Sequence, residues 1–143
     1  MNSKYKKIIQ IMYETRVIAH KYFKNKNNKI NIKKDCSPVS EADTEINLYL
    51  KKNIKKIYKK ANFLSEEDDF KKQINSIENT EFFIIDPIDG TSSFIEGSKE
   101  FTINVSYVKN NTLKFSIIYM PTNDIMYFAD EKNSFKIASK NFF

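Results

Sequence analysis

Between residues 4 and 23 the apolar side chains Tyr5, Ile8, Ile9, Met12, Ala19 and Phe23 recur at helical spacing, which predicts an amphipathic helix with one buried stripe. A polar Lys/Asn stretch at 24–35, KNKNNKINIKKD, interrupts the pattern and predicts a loop. The helical period returns from about Val39 to Lys60. There Ile46, Leu50, Ile54, Ile57, Tyr58 and Ala61 share a face, while Lys51, Lys52, Lys55, Lys56, Lys59 and Lys60 face water. Phe63 and Leu64 predict a very short buried strand, residues 70–80 a polar connector, and Phe82 to Ile85 a second buried strand. From Phe101 onward the period changes to two. Phe101, Ile103, Val105 and Tyr107 alternate with Thr102, Asn104 and Ser106, and further strands follow over Leu113–Met120, Ile125–Ala129 and Ser134–Ala138. Asn110-Asn111, Pro121–Asp124 and Asp130–Asn133 supply the turns. The pattern predicts an α+β fold, with two N-terminal helices packed on one face of a mainly antiparallel sheet.

Composition fits a globular chain: 143 residues, 41% hydrophobic and 14% aromatic, give one domain over 1–143 with a real core. The net charge of +6 is carried almost wholly by Lys, with Arg16 the only arginine. A dedicated nucleic-acid surface would use Arg for bidentate contacts, so nucleic acid is not the expected partner; a positive field suits small polyanions instead. No apolar run is long enough for a membrane span, and the Lys-rich start lacks the apolar core of a signal peptide, so the expected location is the cytoplasm. Cys36 and His20 are each the only residue of their type. Neither an internal disulfide nor a His-based metal or nucleophile site has its other members.

Chemistry concentrates at 81–94, EFFIIDPIDGTSSF. A buried strand delivers Asp86 and Asp89 into a turn, with Pro87 holding Asp86 extended. Two carboxylates beside the Ile88 carbonyl form the all-oxygen environment that Mg²⁺ prefers. Gly90 permits close backbone approach to a ligand, and Thr91, Ser92 and Ser93 bring hydroxyls and N–H groups to a helix start. The same residues also make an ordinary Asp-Pro and Asp-Gly turn. Two acidic features upstream have equally plain readings. Ser40 and Asp43 stand at capping-box spacing, and Glu66, Glu67, Asp68 and Asp69 crowd what reads as a helix start.

Asp86-Pro87-Ile88-Asp89-Gly90-Thr91, with the aromatic Phe94, resembles the signature of the inositol monophosphatase-like superfamily of lithium-sensitive, Mg²⁺-dependent phosphatases. Ser65-Glu66-Glu67 resembles the family's S-E-E segment, and Ser37-Pro38-Val39-Ser40-Glu41-Ala42-Asp43 its S-P-V-T-x-A-D segment. Glu100-Phe101-Thr102-Ile103-Asn104-Val105 and Ile118-Tyr119-Met120-Pro121 are similar to the 3′(2′),5′-bisphosphate nucleotidase branch. Together the segments cover roughly residues 4 to 137, in the family's order. The resemblance implies that Glu66, Asp86, the Ile88 carbonyl and Asp89 hold two or three Mg²⁺ ions. It further implies that Asp43, Glu66 and Thr91 prepare the attacking water, and that Gly90, Thr91 and Ser92 bind substrate phosphate. Glu67 is given an outer role, and Lys33 or Lys34 is placed near that phosphate, although a solvated loop accounts for them as well.

The chain departs from the family in several places, among them Thr91-Ser92-Ser93-Phe94, which matches neither the T-K-E-F of the nucleotidase branch nor the T-T-N-F of inositol monophosphatases. Ser116 stands where Gly is more usual, and the second α/β half, with its Trp-Asp-x-Ala-Ala motif, has no counterpart in a sequence without tryptophan. Two classes of function follow. One is a phosphomonoesterase acting on 3′-phosphoadenosine 5′-phosphate, with inositol monophosphate as the alternative substrate. The other is a non-catalytic remnant, or half of a split enzyme that works as a homodimer or with a complementary C-terminal chain.

Overall fold

The computed structural model describes residues 2–25, 29–32, 38–69 and 81–138. Lys33, Lys34, Cys36 and the connector at 70–80 lie outside the described residues.

Helix α1 spans Ser3–Tyr22 and is capped by the Asn2 side chain, which accepts from the Lys4 N–H at 2.9 Å. It buries Ile8, Ile9, Met12 and Ala19 as the spacing predicts, and also Ile11, Tyr13 and Thr15. Strands β1 (Ile30–Ile32) and β2 (Pro38–Ser40) pair antiparallel, where a loop and the start of the second helix were expected. Helix α2 therefore begins later, at Glu41, and runs to Ile57. Ser40 is its N-cap with φ −97° and ψ 165°, extended geometry that a cap requires and a helix excludes. At the far end Tyr58 leaves the helix, and its ring packs 5.1 Å from that of Phe83 and 4.9 Å from that of Tyr107.

The main sheet has six strands in the order β3-β4-β5-β6-β7-β8. These are β3 (Asn62–Ser65), β4 (Glu81–Asp89), β5 (Thr102–Lys109), β6 (Thr112–Met120), β7 (Ile125–Asp130) and β8 (Ser134–Ala138). Only β3 and β4 run parallel; the rest form the predicted meander. Phe63 and Leu64 of β3 are half-buried, whereas the polar Ser65 is the buried member. Asn110 (φ 51°) and Asn111 (φ 57°) both take the left-handed conformation that a tight hairpin needs. Ser116 is accommodated by a cross-strand hydroxyl pair with Ser106 at 2.7 Å.

Both long helices lie on one face of this sheet, and the core forms between the layers: Ile8, Ile9, Met12, Ile46, Leu50 and Ile54 meet Phe83, Ile103, Val105, Phe115, Ile117 and Phe128. The fold is thus the expected α+β arrangement. Arg16 ties α1 to the β6–β7 turn through Asp124 (3.0 and 3.1 Å), whose carboxylate also accepts from the Tyr119 hydroxyl. Lys51 is not a free surface lysine, because its ammonium pairs with Asp68. The opposite face of the sheet is open, with Ile84 (44% exposed), Ile118 (45%) and Tyr127 (44%) standing on it. No helix among the described residues is long and apolar enough to cross a membrane.

Phe83 is fully buried and packs its ring within 4.7 to 6.1 Å of Tyr58, Phe63, Tyr107 and Phe115. Phe83→Ala is expected to cost about 3–5 kcal/mol of stability, measured by urea denaturation. A loss below about 1 kcal/mol would show that this aromatic cluster closes over the cavity.

Candidate active site

The sequence-predicted site residues gather at one end of the sheet. Strands β3 and β4 are parallel, so their C-terminal ends lie side by side, and the Glu66 N–H continues the pairing by donating to the Ile85 carbonyl at 3.2 Å. Glu66 and Asp86 are delivered next to each other in this way. On its other side β4 carries an irregularity: Asp86 pairs with Asn104 and Asp89 with Thr102, three residues advancing against two. Side chains three apart on a regular strand point to opposite faces; the extra residue turns Asp89 back to the face of Asp86. Pro87, which has no N–H to lose from the ladder, sits in this bulge.

Gly90 follows with φ 91°, and a Cβ there would lie 2.9 Å from the Glu100 carbonyl oxygen. The close approach that demands glycine is thus to the chain's own backbone. Helix α3 (Thr91–Glu96) starts at once, anchored by the buried Phe94 between Phe23 and Phe101, with Ser92 exposed on its first turn. The Thr91 hydroxyl lies 3.2 Å from Asp43 Oδ1 and 3.0 Å from the Ile88 carbonyl, both acceptors for its single proton.

Asp43 closes the N-terminal cap of α2 and also meets Thr91. One oxygen accepts from the N–H (2.8 Å) and hydroxyl (2.6 Å) of Ser40, completing a capping box, and the other faces Thr91. Burial raises its pKa above the ordinary carboxylate value, against the lowering effect of these hydrogen bonds. The acidic run is moored rather than helical: Ser65 donates to the Asn47 side chain at 2.9 Å, and Asp68 pairs with Lys51. Glu67, expected in an outer role, has its backbone N–H on the Ser65 hydroxyl at 3.4 Å.

The electrostatics centre on Asp86. Burial, followed by the charges of Glu66 and Asp89, a hydrogen bond with Glu66 and the charge of Asp43, pushes its pKa up to about 7. Its Oδ1 is buried with no hydrogen-bond partner among the described residues, as is Oδ1 of Asn104. Asp89 is exposed and is held through Oδ2 by the Asn104 amide at 3.2 Å and the Thr102 hydroxyl at 3.5 Å. No three acidic, histidine or cysteine side chains among the described residues already converge into a metal cage. The donor set nonetheless suits a hard divalent cation: the groups are all oxygens, the charges of Glu66, Asp89 and Asp43 act together on Asp86, and its buried Oδ1 has no hydrogen-bond partner among the described residues. A hollow of about 320 Å³ on the open face, lined by Ser116, Ile118, Tyr127 and Lys136 among others, contains none of these residues.

Thr102 and Asn104 escaped the sequence reading of the site. They were visible only as the polar members of an alternating strand; their pairing opposite the two aspartates is what gives them a place in it.

A profile of the inositol monophosphatase family matches residues 4–140. The chain belongs to the inositol monophosphatase family. Within it, the chain is 30% identical over 107 residues to 3′(2′),5′-bisphosphate nucleotidase CysQ of Buchnera aphidicola, covering 75% of this chain and 40% of that protein. It is 31% identical over 103 residues to inositol monophosphatase 1 of Bos taurus, covering 70% and 37%. In fold it is similar to extragenic suppressor protein suhB of Bartonella henselae, with a TM-score of 0.84 at 23% identity over 94% of this chain and 52% of that one. The chain spans about 40% of the length of the two curated relatives. Inositol monophosphatase family enzymes are phosphatases that use Mg²⁺, and the six-stranded sheet with its two long helices corresponds to the N-terminal half of their fold.

The raised pKa of Asp86 has a thermodynamic consequence. An acid whose folded pKa is about 7, against an ordinary 3.8, binds more protons folded than unfolded between those values. Its contribution is therefore present below about pH 4 and is lost as pH rises to 7. In EDTA, the melting temperature of the parent chain is expected to fall between pH 5 and 8 more steeply than that of Asp86→Asn. Parallel curves would show that Asp86 ionises normally.

Proposed function

We propose that residues 1–143 form a single domain, the N-terminal metal-binding half of a cytoplasmic, Mg²⁺-dependent phosphomonoesterase. Its proposed substrate is 3′-phosphoadenosine 5′-phosphate, hydrolysed to AMP and phosphate. Among the relatives, the similarity to a bisphosphate nucleotidase supports this choice, as do the E-F-T-I-N and Y-M-P segments; inositol monophosphate is the alternative, supported by the similarity to inositol monophosphatase 1. The observation that carries the reading is the unpaired, buried Asp86 oxygen among the charges of Glu66, Asp89 and Asp43, beside the Thr91 hydroxyl.

In this reading Glu66, Asp86, the Ile88 carbonyl and Asp89 hold two or three Mg²⁺ ions. When bound, the ions neutralise the phosphoryl oxygens and make a coordinated water acidic enough to attack at neutral pH. The Thr91 hydroxyl donates its hydrogen bond to Asp43 or to the Ile88 carbonyl, which leaves its oxygen to accept from that water and orient it. Asp43 is fixed by Ser40 from behind, which holds Thr91 in this donor role. The amides of Gly90 and Thr91, with Ser92 beside them, bind the phosphate oxygens. The water oxygen bonds to phosphorus as the ester P–O bond breaks; the water releases a proton to solvent, and the departing alkoxide oxygen takes one up to become the product hydroxyl.

A second reading is favoured by the open sheet face, with Ile84, Ile118 and Tyr127 on it, in a chain about 40% the length of its relatives. Here the half-site works only with a complementary C-terminal half or as a homodimer.

Phosphate release from 3′-phosphoadenosine 5′-phosphate by the purified chain is expected to require Mg²⁺ and to be inhibited by Li⁺. Asp86→Asn or Asp89→Asn should lower it at least about 100-fold, and Thr91→Ala about 100-fold or more. Activity that survives Asp86→Asn would overturn the metal assignment. No release by a folded chain would overturn its self-sufficiency and leave the half-enzyme reading.

A further inference from the structure

We propose that Asn104 is a positioning residue for the candidate metal site: its amide N–H fixes Asp89, and its amide oxygen accepts from a water carried by the bound cation. The inference rests on the metal-site reading above. Its basis is the pairing of the strands. Asn104 stands opposite Asp86 and Thr102 opposite Asp89, and residues two apart on β5 share a face, so these four side chains form one patch on the open side of the sheet. Within that patch the Asn104 Nδ2 donates to Asp89 Oδ2 at 3.2 Å, and the Thr102 hydroxyl reaches the same oxygen at 3.5 Å.

The unpaired atoms show what is missing. Asn104 Oδ1 and Asp86 Oδ1 are both buried acceptors without a partner among the described residues. Both are oxygens that accept, a carboxylate and an amide carbonyl, and no donor among the described residues reaches either. Turning the amide over does not help. The amide oxygen would then face Asp89 Oδ2 at the 3.2 Å now spanned by the N–H, acceptor against acceptor. A divalent cation resolves both at once: the metal takes the carboxylate oxygen, and one of the waters that Mg²⁺ retains donates to the amide oxygen. Asn104 would in this way set the spacing of the two aspartates, through Asp89 on one side and a water on the other.

The test is isothermal titration calorimetry of Mg²⁺ and Mn²⁺ into the metal-free chain near neutral pH, with melting temperatures measured in EDTA. Asn104→Leu is expected to weaken cation binding about 10- to 100-fold while leaving the metal-free melting temperature unchanged or raised, because an unsatisfied buried acceptor has been removed. Asn104→Ala, a smaller change, should weaken binding similarly. Ser106→Ala, on the same face of β5 but paired with Ser116, should bind as the parent does. Parent-like affinity in both Asn104 variants, alongside loss of binding in Asp89→Asn, would overturn this inference alone. A folded parent chain that binds neither cation would overturn the metal-site reading, and this inference with it.

Discussion

The candidate site depends on one extra residue in β4. Without the bulge between Asp86 and Asp89, the two aspartates would stand on opposite faces of the sheet, one of them under the helices. Proline makes the insertion inexpensive, since the ladder loses no donor at Pro87. Ile88 is buried as a result, and its carbonyl is turned to within 3.0 Å of the Thr91 hydroxyl. The φ of 91° at Gly90 then lets the chain turn into α3 against the backbone of Glu100.

A second constraint joins the layers. Asp43 belongs to the helix layer and Thr91 to the end of the sheet, and their contact spans 48 residues. Because the same carboxylate closes the N-terminal cap of α2, any shift of the helix start moves the partner of Thr91. The cap of α2 and the contact with Thr91 therefore rest on one carboxylate. Asp86 differs: burial and three neighbouring carboxylates oppose ionisation there, and nothing in the fold of the described residues uses its Oδ1. Local instability of that kind marks Asp86 as a candidate binding position.

Periodicity made the two long helices and the meander legible, because each has one face against the core and one against water. It failed where pairing, not burial, makes the element. Strands β1 and β2 carry little apolar signal, and β4 runs past its apolar core through Pro87 to Asp89. The candidate residues of D-P-I-D-G-T and S-E-E were proposed from motifs contiguous in the chain. Asn104 and Thr102 could not be, since their meaning arises from a register that no local pattern encodes.

The topology also bears on the order of assembly. Hairpins β5–β6, β6–β7 and β7–β8 join neighbours in sequence through short turns, so little loop-closure entropy opposes them. The contacts that complete the site are longer in reach: Ser65 with Ile85 across the parallel pair, and Asp43 with Thr91. Loop closure places these late in folding. On loop-closure grounds alone, the meander would serve as a template on which β4 docks before Glu66 and Asp43 arrive. On that order a partly folded chain would carry the sheet with Asp86 and Asp89 already on one face, and the added repulsion from Glu66 and Asp43 would be met only once the surrounding framework could bear it.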